Sequence, residues 1–226
     1  MEHHHSEGII LSAIKYRDYD QISTLFTLEE GLIQLFIKRA YGKKEGYGTK
    51  CAPFVKAEHI YTKGRGDLYI SHEISPLSFH LELRQTAERL AAAVALTQLV
   101  QQTQMPLKAT PQLYHLFSHY LTALCTCDNP THLTVSFRLK LMRHDGFFGV
   151  TPECSVCREP LCEHYLSKGE SYCQMHAPEY AIHLDDAESV AFYTLAFSRS
   201  LQEISEVCCT PLLEIKIGAF ADESCR

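Results

Sequence analysis

Short apolar runs separated by glycine turns occupy the first 80 residues, a pattern typical of β-strands. Some of these runs alternate loosely between apolar and polar side chains and are rich in β-branched residues, as half-buried strands are. No helical stretch interrupts them, so the sequence predicts a small antiparallel barrel or sandwich. The five predicted strands are Gly8–Ile14, Gln21–Thr27, Leu32–Lys38, Phe54–Tyr61 and Asp67–Ile74.

The hydrophobic period changes to that of α-helices after Pro76. The segments that follow are rich in good helix formers, and prolines or an Asp-Gly pair separate the first three. The predicted helices are Leu81–Gln104, Gln112–Cys125, Leu133–His144, Asp185–Glu206 and Pro211–Phe220. We therefore expect an α+β protein with a β domain at residues 1–80 and a helical domain at 81–226, which carries a cysteine-rich insertion at 150–180.

The composition is that of an ordinary globular protein, with 46% hydrophobic residues and a net charge of −6. The longest purely apolar run, Leu90–Leu96, is far shorter than the roughly 18 residues that a membrane span requires. The first residues show no secretory signal, so we expect a cytoplasmic protein. In a reducing compartment the ten cysteines are interpreted as buried apolar residues, metal ligands or reactive thiols. His3–His5 is either native or a tag remnant, and it is left out of the metal argument.

Two pairs of metal-ligating residues stand out in the cysteine-rich segment. Cys154 and Cys157 form one pair, Cys173 and His176 form the other, and fifteen residues separate the pairs. A two-residue spacer lets a tight turn aim both side chains at one ion, and two such turns complete a tetrahedral shell of thiolate and imidazole ligands. The sequence therefore predicts one structural zinc ion, with no open coordination position for catalysis.

Other cysteines and histidines offer alternatives to this set. Cys162 and His164 lie between the two pairs, and either can replace one ligand. The two pairs can also be unrelated to each other and bind nothing. Cys125, Cys127, Cys208 and Cys209 are assigned to predicted helices and are interpreted as core or surface thiols.

A basic stretch runs from Lys38 to Arg65, with an excess of six positive charges in a chain whose total is negative. Aromatic residues and glycines are interleaved with the basic ones. Lysine and arginine neutralise phosphates and aromatic rings stack on unpaired bases, so the stretch is a candidate for binding single-stranded nucleic acid. The alternative is a solvated loop. The basic residues are Lys38, Arg39, Lys43, Lys44, Lys50, Lys56, Lys63 and Arg65, and the aromatic residues are Tyr41, Tyr47 and Phe54.

Several segments together, in this order, resemble the RecO family of bacterial DNA repair and recombination proteins. In the first half they are Gly8–Leu11, Tyr16–Thr27, Glu30–Leu32, Ile37–Ala40, Pro53–Phe54 and Gly64–Leu68. In the second half they are Phe137–Leu141, the Gly146 turn and Cys154–Cys157. The chain departs from the family at His176, where many members carry a fourth cysteine, and in its acidity.

The resemblance implies an N-terminal OB-fold, a helical domain and a zinc-binding segment. It implies a DNA repair mediator without catalytic residues that binds single- and double-stranded DNA and anneals complementary strands. It also implies cooperation with RecR to load RecA onto strands covered by single-stranded DNA-binding protein, at the nucleoid and not at a membrane. The acidity of this chain indicates modest DNA affinity that depends strongly on salt.

Particular residues are assigned to these roles. We expect Lys38, Arg39, Lys43, Lys44, Lys63 and Arg65 to contact phosphates, and Tyr41 or Tyr47 to stack on bases. In the family, the acidic and apolar tail of single-stranded DNA-binding protein docks on the helical domain, and Arg138, Lys140 and Arg143 are the candidate contacts here. The alternative for these three is an ordinary amphipathic helix with its charges in water.

Two other function classes remain open at this point. A zinc-dependent hydrolase needs an open coordination site and a carboxylate base; Glu153, Glu159 and Glu163 are near, but no HExxH motif is present. A zinc-containing regulator of duplex DNA needs a basic recognition helix, and the predicted helices are not conspicuously basic. A redox role of the zinc thiolates cannot be separated from a structural one by sequence.

Overall fold

The computed structural model describes residues 3–42, 47–64 and 66–224, with only the backbone described at Tyr47. The chain divides into two compact units, Met1–Thr126 and Cys127–Arg226. The division at residue 126 differs from the domain boundary expected after residue 80, which stays a prediction. Among the described residues, no helix combines the length and the apolar character needed to cross a membrane.

Five strands of the first unit form a closed barrel. They are β1 (His3–Tyr16), β2 (Asp20–Thr27), β3 (Gly31–Ile37), β4 (Lys56–Lys63) and β5 (Leu68–Ser78), with a short helix α1 (Tyr47–Lys50) between β3 and β4. The strand order is β1-β2-β3-β5-β4, and β4 pairs back onto β1. The predicted barrel is confirmed as an OB-like barrel. Its ladders are antiparallel except for the one between β3 and β5, which is parallel.

Alternate residues of the strands fill the barrel, as the period of two requires. Ile10, Leu25 and Leu35 are completely buried, and Tyr61 lies among them with its hydroxyl donating to Glu30 Oε2 at 2.7 Å. A buried tyrosine hydroxyl usually finds a hydrogen-bond partner, and here Glu30, which is half-exposed, provides one. The barrel core therefore forms from inward-facing residues of the predicted strands.

Two strands are longer than predicted. β1 begins at His3 instead of Gly8, and its polar first half pairs with β4 from His3↔Thr62 to Ile9↔Lys56. β5 continues beyond Ile74 to Ser78. Strands pair through hydrogen bonds between backbone groups. A strand with polar side chains can therefore pair without showing an apolar pattern in the sequence.

The first unit also contains two longer helices. A 3₁₀ turn at Leu81–Arg84 precedes α2 (Ala87–Thr103), and α3 (Pro111–Leu124) follows. The predicted helix from Leu81 is wrong in its first six residues because Thr86 caps α2, its side chain accepting from the Arg89 amide at 3.2 Å.

Up to residue 224, where the described part ends, the second unit contains four helices and a small sheet. The helices are α4 (Pro130–Asp145), α5 (Asp186–Phe197), α6 (Leu201–Glu206) and α7 (Pro211–Ser224). Strands β6 (His164–Ser167), β7 (Glu170–Tyr172) and β8 (Ile182–Leu184) form a sheet in the order β7-β6-β8. Stacking of Phe148 on Phe192, with ring centroids 6.0 Å apart, contributes to the aromatic core.

The single helix predicted over Asp185–Glu206 is wrong, because the chain forms two helices there. Ser198 is extended, and the Ser200 side chain accepts from the Glu203 amide at 3.2 Å as the N-cap of α6. A serine side chain can form hydrogen bonds with nearby backbone groups in place of the helical ones. Serine is therefore favoured at the N-cap of a helix and not in its interior.

We expect Gly31→Ala to destabilise the first unit by about 2–4 kcal/mol. Gly31 starts β3 at φ +73°, and a Cβ atom there would lie 2.1 Å from the Lys108 carbonyl oxygen. Gly66→Ala is the matched control, since its φ is +68° but nothing lies within 4 Å of the added atom. It should cost only about 1 kcal/mol. Urea unfolding of both variants measures the difference, and equal losses would contradict the steric argument.

Candidate functional site

Four side chains of the second unit converge in the cysteine-rich segment. One ligand atom each from Cys154, Cys157, Cys173 and His176 lies within 4.8 Å of all the others. Cys154 Sγ is 3.8 Å from His176 Nδ1, Cys173 Sγ is 3.2 Å from the same nitrogen, and the sulfurs of Cys157 and Cys173 are 4.0 Å apart. The structure thus brings together the four residues chosen from the sequence, and the group can hold a metal ion.

Backbone turns position each pair of ligands. The Arg158 amide donates to the Cys154 carbonyl at 2.9 Å, and the His176 amide donates to the Cys173 carbonyl at 3.0 Å. These two turns are the knuckles of the site. Ser171 on β7 joins the first knuckle to the hairpin, since its backbone carbonyl accepts from the Ser155 amide at 2.9 Å. The hairpin of β6 and β7 therefore carries both knuckles.

The electrostatics of the group favour a thiolate at Cys154, which is fully buried. Burial alone would raise the pKa of this thiol. The backbone amides of Cys157, Cys173 and Val156 outweigh that cost by hydrogen bonding to the sulfur, and they lower the pKa to about 6. A thiolate at neutral pH is the form that binds a metal ion.

The other candidate ligands lie outside this group. Cys162 is exposed, and His164 Nδ1 is 3.3 Å from the Tyr193 hydroxyl. The assignment of Cys127, Cys208 and Cys209 to helices is wrong: Cys127 follows the end of α3, and the other two lie between α6 and α7. The α7 helix begins only at Pro211, where a fixed φ suits the first turn of a helix.

The structure describes half of the predicted DNA contacts. Lys38, Arg39, Tyr41 and Lys63 have exposed side chains on the barrel. Lys43, Lys44 and Arg65 and the side chain of Tyr47 lie outside the described residues.

Backbone contacts fix the segment that follows β3 against the loop between β1 and β2. The Arg39 amide donates to Asp20 Oδ1 at 2.8 Å, and the Tyr41 amide donates to the Tyr19 carbonyl at 2.9 Å. Two exposed tyrosines, Tyr19 and Tyr41, therefore lie on neighbouring segments with Arg39. Together these segments form a basic and aromatic end of the barrel.

An apolar row on the outside of the barrel was not predicted from the sequence. Ile14 pairs with Ile22, Ile22 with Phe36, and Phe36 with Ile70, so four neighbouring strands contribute one residue each. Their exposed fractions reach 70% at Ile14 and 39% at Ile70. We call these four residues the outer platform. The platform can be identified only when the strand register is known, and the sequence alone does not give that register.

The outer platform continues into the loop between β1 and β2. The ring of Tyr16 meets Phe36 edge to face with centroids 6.1 Å apart, and Arg17 Cζ lies 5.2 Å from the centroid of Tyr16. A pocket of about 450 Å³ opens here, lined by Tyr16, Arg17, Ile22, Phe36, Gly64, Leu68 and Ile70. Aromatic and aliphatic side chains beside a guanidinium group form a surface on which flat, negatively charged ligands can stack.

The three candidate partner contacts lie on α4 but do not form one patch. The Arg138 guanidinium pairs with Asp222 of α7. Lys140 Nζ donates to the Ser198 carbonyl at 2.6 Å, and burial, followed by the Arg143 charge, lowers the pKa of Lys140 to about 8. Arg143 Cζ lies 5.1 Å from the centroid of Phe197. Lys140 and Arg143 therefore meet at the end of α5, whereas Arg138 faces α7.

Family models match nearly the whole chain. The model for the N-terminal part of recombination protein O matches residues 1–79, and the model for its C-terminal part matches residues 84–217. The chain belongs to the RecO family. Family membership supports a role in DNA repair and recombination. RecO proteins are repair mediators and not catalytic enzymes, so a zinc-dependent hydrolase is excluded.

Individual relatives agree with the family models. The chain is 24% identical over 208 residues to a DNA repair protein RecO of Chlamydia pneumoniae, covering 91% of this chain and 81% of the relative. It is 27% identical over 195 residues to a DNA repair protein RecO of Exiguobacterium sibiricum, covering 85% and 78%. A relative of the same name from Caldanaerobacter subterraneus is 25% identical over 172 residues, covering 75% and 69%.

Proposed function

We propose that this RecO-family protein binds single- and double-stranded DNA, anneals complementary strands and helps RecR to load RecA onto strands covered by single-stranded DNA-binding protein. The observation that carries the proposal is the outer platform beside the basic end of an OB-like barrel. Proteins of this fold bind oligonucleotides on the face of strands 2 and 3 and on the adjoining loops. The Ile22 and Phe36 pair belongs to those two strands.

The chemistry of this surface suits an unpaired strand more than a duplex. Stacking on Phe36 and Tyr16 requires bases that are not already stacked in a helix. Arg17, Lys38 and Arg39 are exposed at the edge of this surface and can neutralise phosphates. Holding bases apart while lowering the repulsion between two strands assists annealing. Such a surface supports a repair mediator over a regulator that reads duplex sequence through a helix.

Zinc is the metal that suits the group at Cys154. A Zn–S distance of about 2.3 Å and a Zn–N distance of about 2.0 Å place the ligand atoms of a tetrahedral site roughly 3.5–3.8 Å apart. The distances of 3.2–4.0 Å between the donor atoms fit that spacing. We assign Cys154, Cys157, Cys173 and His176 to a structural zinc ion, which would close the shell and hold the two knuckles together.

A titration of labelled single-stranded oligonucleotide tests the proposed DNA binding. We expect binding that weakens steeply between about 50 and about 200 mM salt, together with faster annealing of a complementary strand. Charge reversal at Lys38 and Arg39 should weaken binding and reduce its salt dependence by about two released counterions. Lys108→Glu is the matched control, since Lys108 lies beside Gly31 at the opposite end of β3. Binding that is absent at low salt, or equal in all three proteins, would overturn the proposal.

We further propose that the acidic and apolar tail of single-stranded DNA-binding protein docks where Arg143 and Lys140 meet Phe197. Phe197 is 38% exposed, so an apolar side chain can pack on its ring while a carboxylate reaches Arg143. Arg138 is less suited because Asp222 already pairs with it.

Arg143→Ala is therefore expected to weaken binding of a tail peptide by about 5- to 10-fold, the loss of one charged hydrogen bond. Arg138→Ala should have a smaller effect. Isothermal calorimetry with both variants measures this, and a larger loss at Arg138 would move the site to the α7 side.

A further inference from the structure

A second group of metal-ligating side chains occurs in the second unit. One ring nitrogen of His132, the sulfur of Cys209 and a carboxylate oxygen of Glu214 all lie within 4.8 Å of one another. They come from three different elements: the first turn of α4, the connection between α6 and α7, and the first turn of α7. All three residues are half-buried, so the group does not lie on an open surface.

A backbone carbonyl orients the imidazole ring. His132 Nδ1 lies 3.2 Å from the Ser205 carbonyl oxygen, and the same oxygen accepts from the Asn129 side-chain amide at 2.9 Å. A carbonyl oxygen only accepts hydrogen bonds, so this contact favours the tautomer with the proton on Nδ1, which leaves Nε2 as the metal-binding nitrogen of the neutral ring. A carbonyl that fixes the second nitrogen in this way is what metal-bound histidines have in most proteins.

The backbone around Cys209 and Glu214 is held as well. The Cys209 amide donates to the Val207 carbonyl at 2.9 Å, and the Glu214 amide donates to the Thr210 carbonyl at 3.1 Å. The Thr210 side chain accepts from the Leu213 amide at 3.2 Å and so caps the start of α7. The thiol and the carboxylate are therefore presented from an ordered turn.

We propose that His132, Cys209 and Glu214 bind a second zinc ion. One nitrogen, one sulfur and one oxygen donor suit a borderline ion such as zinc and not the oxygen-seeking magnesium or calcium. Three protein ligands leave the fourth tetrahedral position to solvent, unlike the closed shell of the group at Cys154. The ion would join the start of α4 to the connection before α7. It would exchange with zinc in solution more readily than an ion in the closed group at Cys154. This inference does not depend on the proposed DNA binding.

Metal content of the full-length protein tests the site. After equilibration with excess zinc and removal of free metal, plasma mass spectrometry should find one zinc fewer per chain in Cys209→Ser than in the wild type. Loss of a direct ligand should weaken zinc at this site by about 100-fold or more, since even the indirect partners of a ligand contribute about 10- to 100-fold. Cys208→Ser is the matched control: Cys208 is the adjacent, exposed cysteine and lies outside the group. Any metal held by His3–His5 is common to all variants and cancels in the comparison.

Cobalt substitution provides a second readout. The difference between the wild-type and Cys209→Ser spectra should show charge transfer from a single thiolate, whereas the group at Cys154 contributes three thiolates. Glu214→Gln retains the side-chain volume and should also lose the cobalt ion at this site. It therefore tests the site independently if Cys209→Ser is poorly folded. Equal zinc content and superimposable cobalt spectra in the wild type, Cys208→Ser, Cys209→Ser and Glu214→Gln would overturn the proposal.

Discussion

Replacing Cys173 by serine should remove one zinc ion per chain and lower the thermal midpoint of the second unit by more than 10 °C. The segment between the knuckles is held by two short strands and contributes few large buried side chains, so we expect its order to depend on the proposed zinc ion. A loss of about 3 kcal/mol or more in a unit of about 100 residues shifts the midpoint by roughly 4–8 °C for each kcal/mol. Zinc analysis and calorimetry measure the two effects together.

Cys162→Ser is the control for this experiment. Cys162 lies in the same segment, but it is exposed and outside the ligand group. The Cys162→Ser variant should retain its zinc ion and the thermal midpoint of the wild type. If Cys173→Ser also keeps both, the group at Cys154 does not hold a structural zinc ion.

Phe36→Ala should weaken binding of single-stranded DNA by about 5- to 100-fold while the barrel remains folded. Stacking of one base on an aromatic ring contributes about 1–3 kcal/mol. Phe36 faces outward, between the buried Leu35 and Ile37, so its truncation leaves the barrel core in place. Because no charge changes, the dependence of affinity on salt should stay that of the wild type.

Leu77→Ala is the matched control for the outer platform. Leu77 is a 52% exposed apolar residue of β5 that lies outside the platform rows. Its truncation should leave DNA affinity unchanged. Equal affinity of the wild type, Phe36→Ala and Leu77→Ala would show that bases do not stack on the platform, whereas a changed salt dependence in Phe36→Ala would indicate a rearranged surface.

The sequence predicted the elements whose signal is local. Short apolar runs bounded by glycine turns, some of them loosely alternating, located all five barrel strands. The spacing within Cys154–Cys157 and Cys173–His176 located four potential ligands that the structure brings together, because both members of a pair come from one turn.

The features that depend on pairing could not be predicted in the same way. The outer platform exists because Phe36 lies opposite Ile70, and these residues are 34 positions apart on parallel strands. The group of His132, Cys209 and Glu214 likewise requires three elements to pack together. The break at Ser198–Ser200 was missed for a different reason, since the apolar spacing continues across it and only the capping serines mark it.

The pairing of β1 with β4 also sets the time at which the barrel can form during synthesis. These strands join residues roughly 50 positions apart, and the parallel ladder of β3 closes only when β5 has been made. At about 5–20 residues per second, β1 therefore waits on the ribosome for several seconds with its backbone groups unpaired on one edge. A nascent chain stopped before residue 68 retains open strand edges, which are templates for pairing with other chains. The barrel consequently closes only after the first 78 residues have been made, and until then this N-terminal third is the part of the protein that chaperones have most reason to hold.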